Sequence, residues 1–402
     1  MKILLFANTD WYLYNFRLPL ARAIREQGDE VVLVSPLGKY SSRLEQAGFR
    51  WIEFPLERRR LNPFAEAITV LRLIRLYRLE RPDLVHHFTL KCVMYGSIAA
   101  RLAGIKSVVN AFAGLGHIFS DGGFQAKMLR SIVSPISKLA LRRTRVIFQN
   151  PDDHRVFLER QLVSEDESHL ILGSGVDVEK FNPSIRRPLN RERRVLLASR
   201  LLWAKGVAEY VEAARVVRES IPGAHFLIAG ETDLGNPAAV SHSVLEEWKA
   251  QHNVEILGHK EDMRELLGEV DVVALPSFYG EGVPRILIEA AATGLPLVAT
   301  DMPGCREIVR HGVNGFLVRP RDAEPLASAI KKLLLDDELR REMGKRSREL
   351  ACSEFSENQV LSRTLQVYQK CVLTSQVRRS KTRHWRGIFD VSHSASARRS
   401  TK

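Results

Sequence analysis

The run from Ser277 to Glu289, Ser-Phe-Tyr-Gly-Glu281-Gly282-Val283-Pro284-Arg285-Ile-Leu-Ile-Glu289, sets two carboxylates around a turn and the opening of a helix, directly behind an apolar strand. The strand, Val270 to Leu275, ends at Pro276. Gly280 and Gly282 permit a tight loop, and Pro284 suits the first helical position, whose amide has no partner within the helix. Glu281 is then expected beside the helix's positive end. Glu289 falls among Ile286, Leu287, Ile288, Ala290, Ala291 and Ala292, where an unpaired carboxylate is costly and something must hydrogen-bond to it. An ionised carboxylate accepts from two hydroxyl donors, so a neutral ligand with vicinal hydroxyls suits both glutamates, and the helix N-terminus between them suits a phosphate. Those features together describe a nucleotide sugar. The competing reading is structural, with Glu281 as a helix N-cap and Glu289 paired with a buried arginine, and the spacing alone leaves both open.

Such residues need a scaffold. The 402 residues, 45% of them hydrophobic, are enough for two or three domains with full cores and exclude a disordered chain or a fibre. Short apolar runs at Ile3 to Ala7, Glu30 to Val34, Leu84 to Phe88, Val108 to Phe112, Val146 to Gln149 and Leu170 to Gly173 alternate with helical periodicity. The pattern restarts at Val195 to Ala198, Phe226 to Ala229, Val254 to Leu257, Val272 to Leu275, Leu297 to Ala299 and Phe316 to Val318. Parallel strands with crossover helices follow: an α/β chain of two doubly wound, Rossmann-like domains, residues 1–175 and 193–353, joined by a linker at 176–192. Ligands bind beyond the carboxyl ends of such strands, so two facing domains enclose a cleft. The apolar start, Met1 to Asn8, is too short for a signal peptide and reads as a buried strand. No run approaches the roughly 20 apolar residues of a spanning helix, so any membrane contact is expected to be peripheral. Cys92, Cys305, Cys352 and Cys371 form no C-x-x-C pair, which suggests reduced thiols in a cytosol, and no His/Cys cluster has metal-ligand spacing.

The 277–289 segment resembles the signature of the retaining glycosyltransferases of family 4, which have the GT-B fold and hold the donor with two glutamates separated by seven residues. Gly173-Ser-Gly-Val-Asp177 with Phe181-Asn-Pro183, Ser199-Arg200-Leu-Leu-Trp-Ala-Lys205-Gly206, Asp301-Met-Pro-Gly-Cys-Arg-Glu307 and Gly312-Val-Asn-Gly-Phe-Leu317 resemble the same family in order. The resemblance implies that Glu281 contacts hydroxyls of the transferred sugar and Glu289 the ribose, with Gly282, Val283 and Arg285 lining the nucleotide between them. It implies a donor site in the second domain and an acceptor site in the first. It also implies a C-terminal helix crossing back at 354–374, near Ser356 to Leu373, before a basic, disordered tail at 375–402. Arg200 and Lys205 flank the turn after the second domain's first strand. There a planar fork and a mobile point charge can clamp a diphosphate and stabilise charge growing on a departing UDP, and the plain alternative is two solvated cations. Lys260 lies in the loop Gly258 to Asp262, where the family holds the nucleobase. In the first domain, Gly114-Leu-Gly116-His117 lets backbone approach a sugar or phosphate. His117 either contacts the transferred sugar, as a histidine does in some relatives, or is a loop histidine.

The first turn, Asn8 to Arg17, has no glycine where many members carry a glycine-rich loop. With His86-His-Phe-Thr-Leu-Lys91 and Tyr95-Gly96 it resembles a subgroup of bacterial capsule and O-antigen transferases acting on polyprenyl-diphosphate-linked sugars, so Asn8, Asn15 and Lys91 are assigned to the acceptor side. The net charge of +13 gathers at Arg58 to Arg60, Arg72, Arg75, Arg78 and Arg81, Arg142 to Arg145 and the tail. The Arg72 to Arg81 set lies on an amphipathic helix that either meets anionic lipid or is simply solvated. No module or aromatic interleaving points to nucleic acid. The expected protein is a metal-free, nucleotide-sugar-dependent transferase of bacterial surface glycan assembly, the sugar nucleotide its donor substrate and a lipid-linked glycan or a polysaccharide its acceptor. It would work on the cytosolic face of a membrane. Two alternatives share the architecture, a nucleotide-sugar 2-epimerase and a nonenzymatic sugar-nucleotide-binding protein.

Overall fold

A computed structural model describes residues 1–57, 62–114, 137–185, 192–233 and 236–396, without the side chains of Pro63 and 378–396. The first sheet contains β1 (Lys2–Phe6), β2 (Glu30–Ser35), β3 (Arg50–Glu53), β4 (Leu84–Phe88), β5 (Ser107–Phe112), β6 (Arg145–Phe148) and β7 (Ser168–Leu170). The second contains β8 (Arg193–Ala198), β9 (Ala224–Ala229), β10 (Glu255–Gly258), β11 (Val272–Leu275), β12 (Leu297–Thr300) and β13 (Gly315–Val318). Their orders are 3-2-1-4-5-6-7 and 10-9-8-11-12-13, and every pairing is parallel. Strands buried on both faces explain the uninterrupted apolar runs, since helices cover both sides of such a sheet. Among the described strands, β3 escaped the sequence reading, and the run expected at Leu170 to Gly173 meets β7 only at Leu170. Strand β3 is the edge strand Arg50-Trp-Ile-Glu53, whose polar ends hide its periodicity.

The last helix corrects the sequence expectation. It runs Glu357–Ser396, well past Leu373 and into the stretch read as a disordered tail. Its early turns bury Val360, Val367, Tyr368 and Cys371 against Ile3, Leu5, Leu84 and Val109, so the C-terminal helix completes the first domain's core. The linker is tied to that helix: the Val176 amide donates to the Phe355 carbonyl at 3.0 Å and the Glu357 amide to the Val176 carbonyl at 2.8 Å.

The two sheets face each other, and several contacts cross between the domains at their facing edges. The Gly282 amide donates to the Ala113 carbonyl at 3.0 Å, Arg43 meets Glu261 at 3.2 Å, and Arg306 meets Asp152 at 3.4 Å. Gly282, Ala113 and Glu261 lie in loops beyond the carboxyl ends of strands, where the topology puts ligands, and Arg43 lies in the short helix Ser41–Gln46 that follows β2.

Candidate active site

The donor wall begins at β8. After Ala198 the chain makes a short 3-10 turn, Trp203–Lys205, and Gly206 turns it with φ of +73° into the helix Val207–Ser220. A Cβ at Gly206 would stand 2.1 Å from the Pro276 carbonyl oxygen, so only glycine lets this turn lie against the end of β11. Lys205 is thereby buried, and its ammonium pairs with Glu281 Oε1. The Ser277 hydroxyl donates to the same oxygen at 2.9 Å. Glu281 is thus no N-cap: the helix is Arg285–Ala292, and Pro284, expected as its first residue, is the N-cap and offers no side-chain bond.

Arg200 stands apart from this pair. Its side chain is 55% exposed and its guanidinium reaches Asp233 at 3.3 Å. Burial and the Glu281 charge raise the Tyr279 pKa, and the Arg200 charge opposes them. The sequence reading joined Arg200 and Lys205 in one clamp. In the structure the lysine is buried and bound to a glutamate, and the arginine waits at the rim.

Glu289 is 7% exposed and accepts from Arg285 Nε at 2.7 Å, one helical turn away. Burial raises its pKa above the ordinary value of 4.5, and the Arg285 charge opposes that rise. The buried-arginine reading of Glu289 therefore holds in part: the carboxylate has a protein partner, but that partner is Arg285, itself assigned to the nucleotide. Arg285 also donates to the Asn15 carbonyl in the other domain and lies 5.2 Å from the centre of the Phe16 ring. Lys260 is exposed in the loop after β10, next to the Glu261 that meets Arg43.

The acceptor wall presents mainly backbone. Gly114 has φ of +101°, and a Cβ there would fall 2.7 Å from the Gly282 nitrogen, which explains the glycine. Asn150, the N-cap of the helix Pro151–Glu159, accepts from the Asp153 amide and donates from Nδ2 to the Glu281 carbonyl at 3.0 Å. The Gln149 amide oxygen lies 2.3 Å from where a Cβ at Gly282 would sit. Val283 is buried behind the turn. Sequence reading missed Gln149 and Asn150; the Asn-Pro-Asp-Asp cap was a visible signal, but its second partner lies 131 residues away.

Asn8 is half-buried just after β1. Asn15 sits in a π-helical turn, Leu13–Arg17, and its side chain returns to the Trp11 carbonyl. Gly38, after β2, lies against the Asn8 to Arg17 turn: a Cβ there would stand 2.3 Å from the Asp10 carboxylate. The third acceptor assignment is drawn elsewhere: the Lys91 ammonium binds Glu66 at 2.7 Å and the Glu57 carbonyl at 2.6 Å. Gly116 and His117 lie outside the described residues. Among the described residues no group of three or more His, Cys, Asp or Glu could hold a metal ion, and no helix is long and apolar enough to cross a membrane.

Two facing doubly wound domains, with a lysine–glutamate pair and a buried second glutamate at the carboxyl edge of the second sheet, define a GT-B glycosyltransferase. Residues 2–150 match the family model described as glycosyl transferase 4-like, and residues 179–350 the one described as glycosyl transferases group 1. The chain belongs to the family 4 glycosyltransferases. It is 28% identical over 384 residues to the N,N'-diacetylbacillosaminyl-diphospho-undecaprenol alpha-1,3-N-acetylgalactosaminyltransferase of Campylobacter jejuni, covering 92% of this chain and 99% of that one. It is 27% identical over 310 residues to the Escherichia coli UDP-Gal:alpha-D-GlcNAc-diphosphoundecaprenol alpha-1,3-galactosyltransferase, covering 74% and 78%. Anabaena HepE, solved with UDP and glucose, superposes with a TM-score of 0.75 at 20% identity over 91% of this chain and 99% of that one, and so shares the fold.

Proposed function

We propose that this glycosyltransferase moves a hexose or N-acetylhexosamine from a UDP-sugar to a polyprenyl-diphosphate-linked glycan with retention at the anomeric carbon. The observation that carries the reading is the buried Lys205–Glu281 pair on the cleft-facing turn, in a chain whose two relatives above are both named for undecaprenyl-diphosphate acceptors. Glu281, still accepting from Ser277, turns its second oxygen to hydroxyls of the transferred sugar. Glu289 holds the ribose hydroxyls. As the bond from the anomeric carbon to the diphosphate oxygen breaks, negative charge grows on that diphosphate, and Lys205 is already placed and desolvated to meet it. Arg200 leaves Asp233 and joins from the rim. The acceptor hydroxyl forms the new carbon–oxygen bond on the face the diphosphate leaves, and its proton passes to the departing diphosphate. No metal enters this scheme, and the two cations neutralise the diphosphate. The reaction takes place at the cytosolic surface of a membrane, where a lipid-linked acceptor resides.

The test is incubation with UDP-GalNAc, UDP-Gal and UDP-Glc, with and without a short-chain polyprenyl-diphosphate sugar, read by mass spectrometry and proton NMR. The expected result is an acceptor longer by one α-linked sugar. A new UDP-sugar formed without acceptor would make the protein an epimerase. Nucleotide binding with neither product, across acceptors, would reduce it to a binding protein.

A further inference from the structure

The helix Pro63–Glu80 buries Leu73, Ile74 and Tyr77 and leaves the opposite side bare. Phe64 is 83%, Ile68 49%, Leu71 65% and Leu79 70% exposed, which is unusual for one helix of a well-packed domain. At about 100° per residue, Phe64, Ile68, Leu71, Arg75 and Arg78 fall within an arc of roughly 80°. Along the axis this stripe is apolar in its first half and cationic in its second. The helix's two carboxylates lie on the other side, Glu66 bound to Lys91 and Glu80 to Lys2 and Arg50. The outward face therefore combines apolar side chains and arginines with no acid.

Its orientation matters as much as its chemistry. Glu66 in the first turn grips Lys91, which follows directly on the carboxyl end of β4, so the apolar half stands at the cleft edge. Arg78 at the other end donates to the Leu102 carbonyl, and Arg101 beside it to the Arg142 carbonyl, so the cationic half continues onto two further arginines away from the cleft.

We propose that the outward face of the 63–80 helix is the surface by which this protein docks on an anionic lipid bilayer, Phe64, Ile68 and Leu71 entering the headgroup region while Arg75 and Arg78 meet lipid phosphates. The inference rests on a lipid-linked acceptor and supplies the missing geometry: the apolar end inserts beside the cleft, where the acceptor's sugar must arrive while its polyprenyl chain stays in the bilayer. Charge complementarity selects anionic lipid, and the exposed aliphatic and aromatic groups select a bilayer over a soluble polyanion.

Flotation of the full chain with vesicles tests it, using equal parts phosphatidylglycerol and phosphatidylcholine or phosphatidylcholine alone. The intact protein should float with the anionic vesicles only. Arg75→Gln with Arg78→Gln should lower the partition coefficient by about fivefold per arginine, on the order of 30-fold together. Phe64→Ser with Leu71→Ser should lower it too, and that deficit should persist at high salt, where the arginine contribution is screened. Calorimetric titration with UDP should be the same for all three proteins. If the intact protein ignores anionic vesicles, or if both variants float as it does, the docking face is wrong. A vesicle-free dimer that Phe64→Ser with Leu71→Ser converts to monomer would reassign the face to contact between copies. Loss of UDP binding by the intact protein would instead strike the proposed function.

Discussion

The two walls of the cleft are built from different materials. The donor wall consists of charges that hold one another: Lys205 with Glu281, Arg285 with Glu289, Arg200 with Asp233. The acceptor wall meets it with backbone, the Ala113 carbonyl, the tight Gly114 and the Asn15 carbonyl, and with the amide group of Asn150. Lys205 and Glu289, buried and paired in this way, are oriented and partly desolvated before a ligand arrives, which is what electrostatic preorganisation requires. Backbone contacts instead fix the distance of approach. The donor wall should therefore respond to loss of charge and the other wall to loss of space.

Breaking the most buried of these pairs should have the largest effect. Glu281→Ala leaves the Lys205 ammonium without its partner at 10% side-chain exposure. The loss should be roughly 3 kcal/mol of stability, the low end for such pairs because Glu281 keeps some solvent contact. Thermal unfolding of the unliganded protein measures it, and an unchanged midpoint would mean that the pair is not formed in solution. Glu289→Ala tests the ground-state half of the donor wall. Losing a charged acceptor for the ribose hydroxyls should weaken UDP binding by roughly 1.5 to 3 kcal/mol, and calorimetry at neutral pH decides the matter.

The same residue has a pH signature. Its pKa in the folded protein lies above 4.5, so protonation favours the fold and that stabilisation is lost as pH rises through the folded pKa. Ribose hydroxyls require the ionised carboxylate. UDP affinity should then fall as pH drops toward and through that raised pKa, in a window above the ordinary glutamate range, and Glu289→Gln should abolish the step. A parent protein whose UDP affinity is flat down to pH 4.5 would remove Glu289 from the ribose. Arg200→Ala should show the smallest change. An exposed pair contributes about 0.2 to 1 kcal/mol, so stability should hardly move while turnover falls less than for any change at Lys205.

Much of this was legible in the sequence, for physical reasons. Parallel strands covered on both faces give continuous apolar runs, so most strands among the described residues could be read, while the edge strand Arg50–Glu53 has polar ends and could not, and the run at Leu170 to Gly173 meets β7 only at Leu170. Glycine and proline around Glu281 announced a sharp turn. The partner of Glu289 was visible as a four-residue spacing from Arg285, yet an arginine among apolar neighbours reads equally well as a ligand contact. Contacts such as Asn150 to Glu281 depend on the closure of two domains and leave no local trace. The long C-terminal helix was misread beyond Thr374 because a serine- and arginine-rich segment lacks the apolar stripe by which helices are recognised.

Single-turnover transfer at saturating donor and acceptor, comparing the parent with Lys205→Ala, tests the central claim most directly. If the buried ammonium stabilises charge that develops only as the diphosphate departs, the variant should transfer sugar about 10²- to 10³-fold more slowly while its UDP affinity changes much less. A folded Lys205→Ala protein that transfers sugar at the parent rate would contradict the account and leave the Lys205–Glu281 pair a structural feature of the turn.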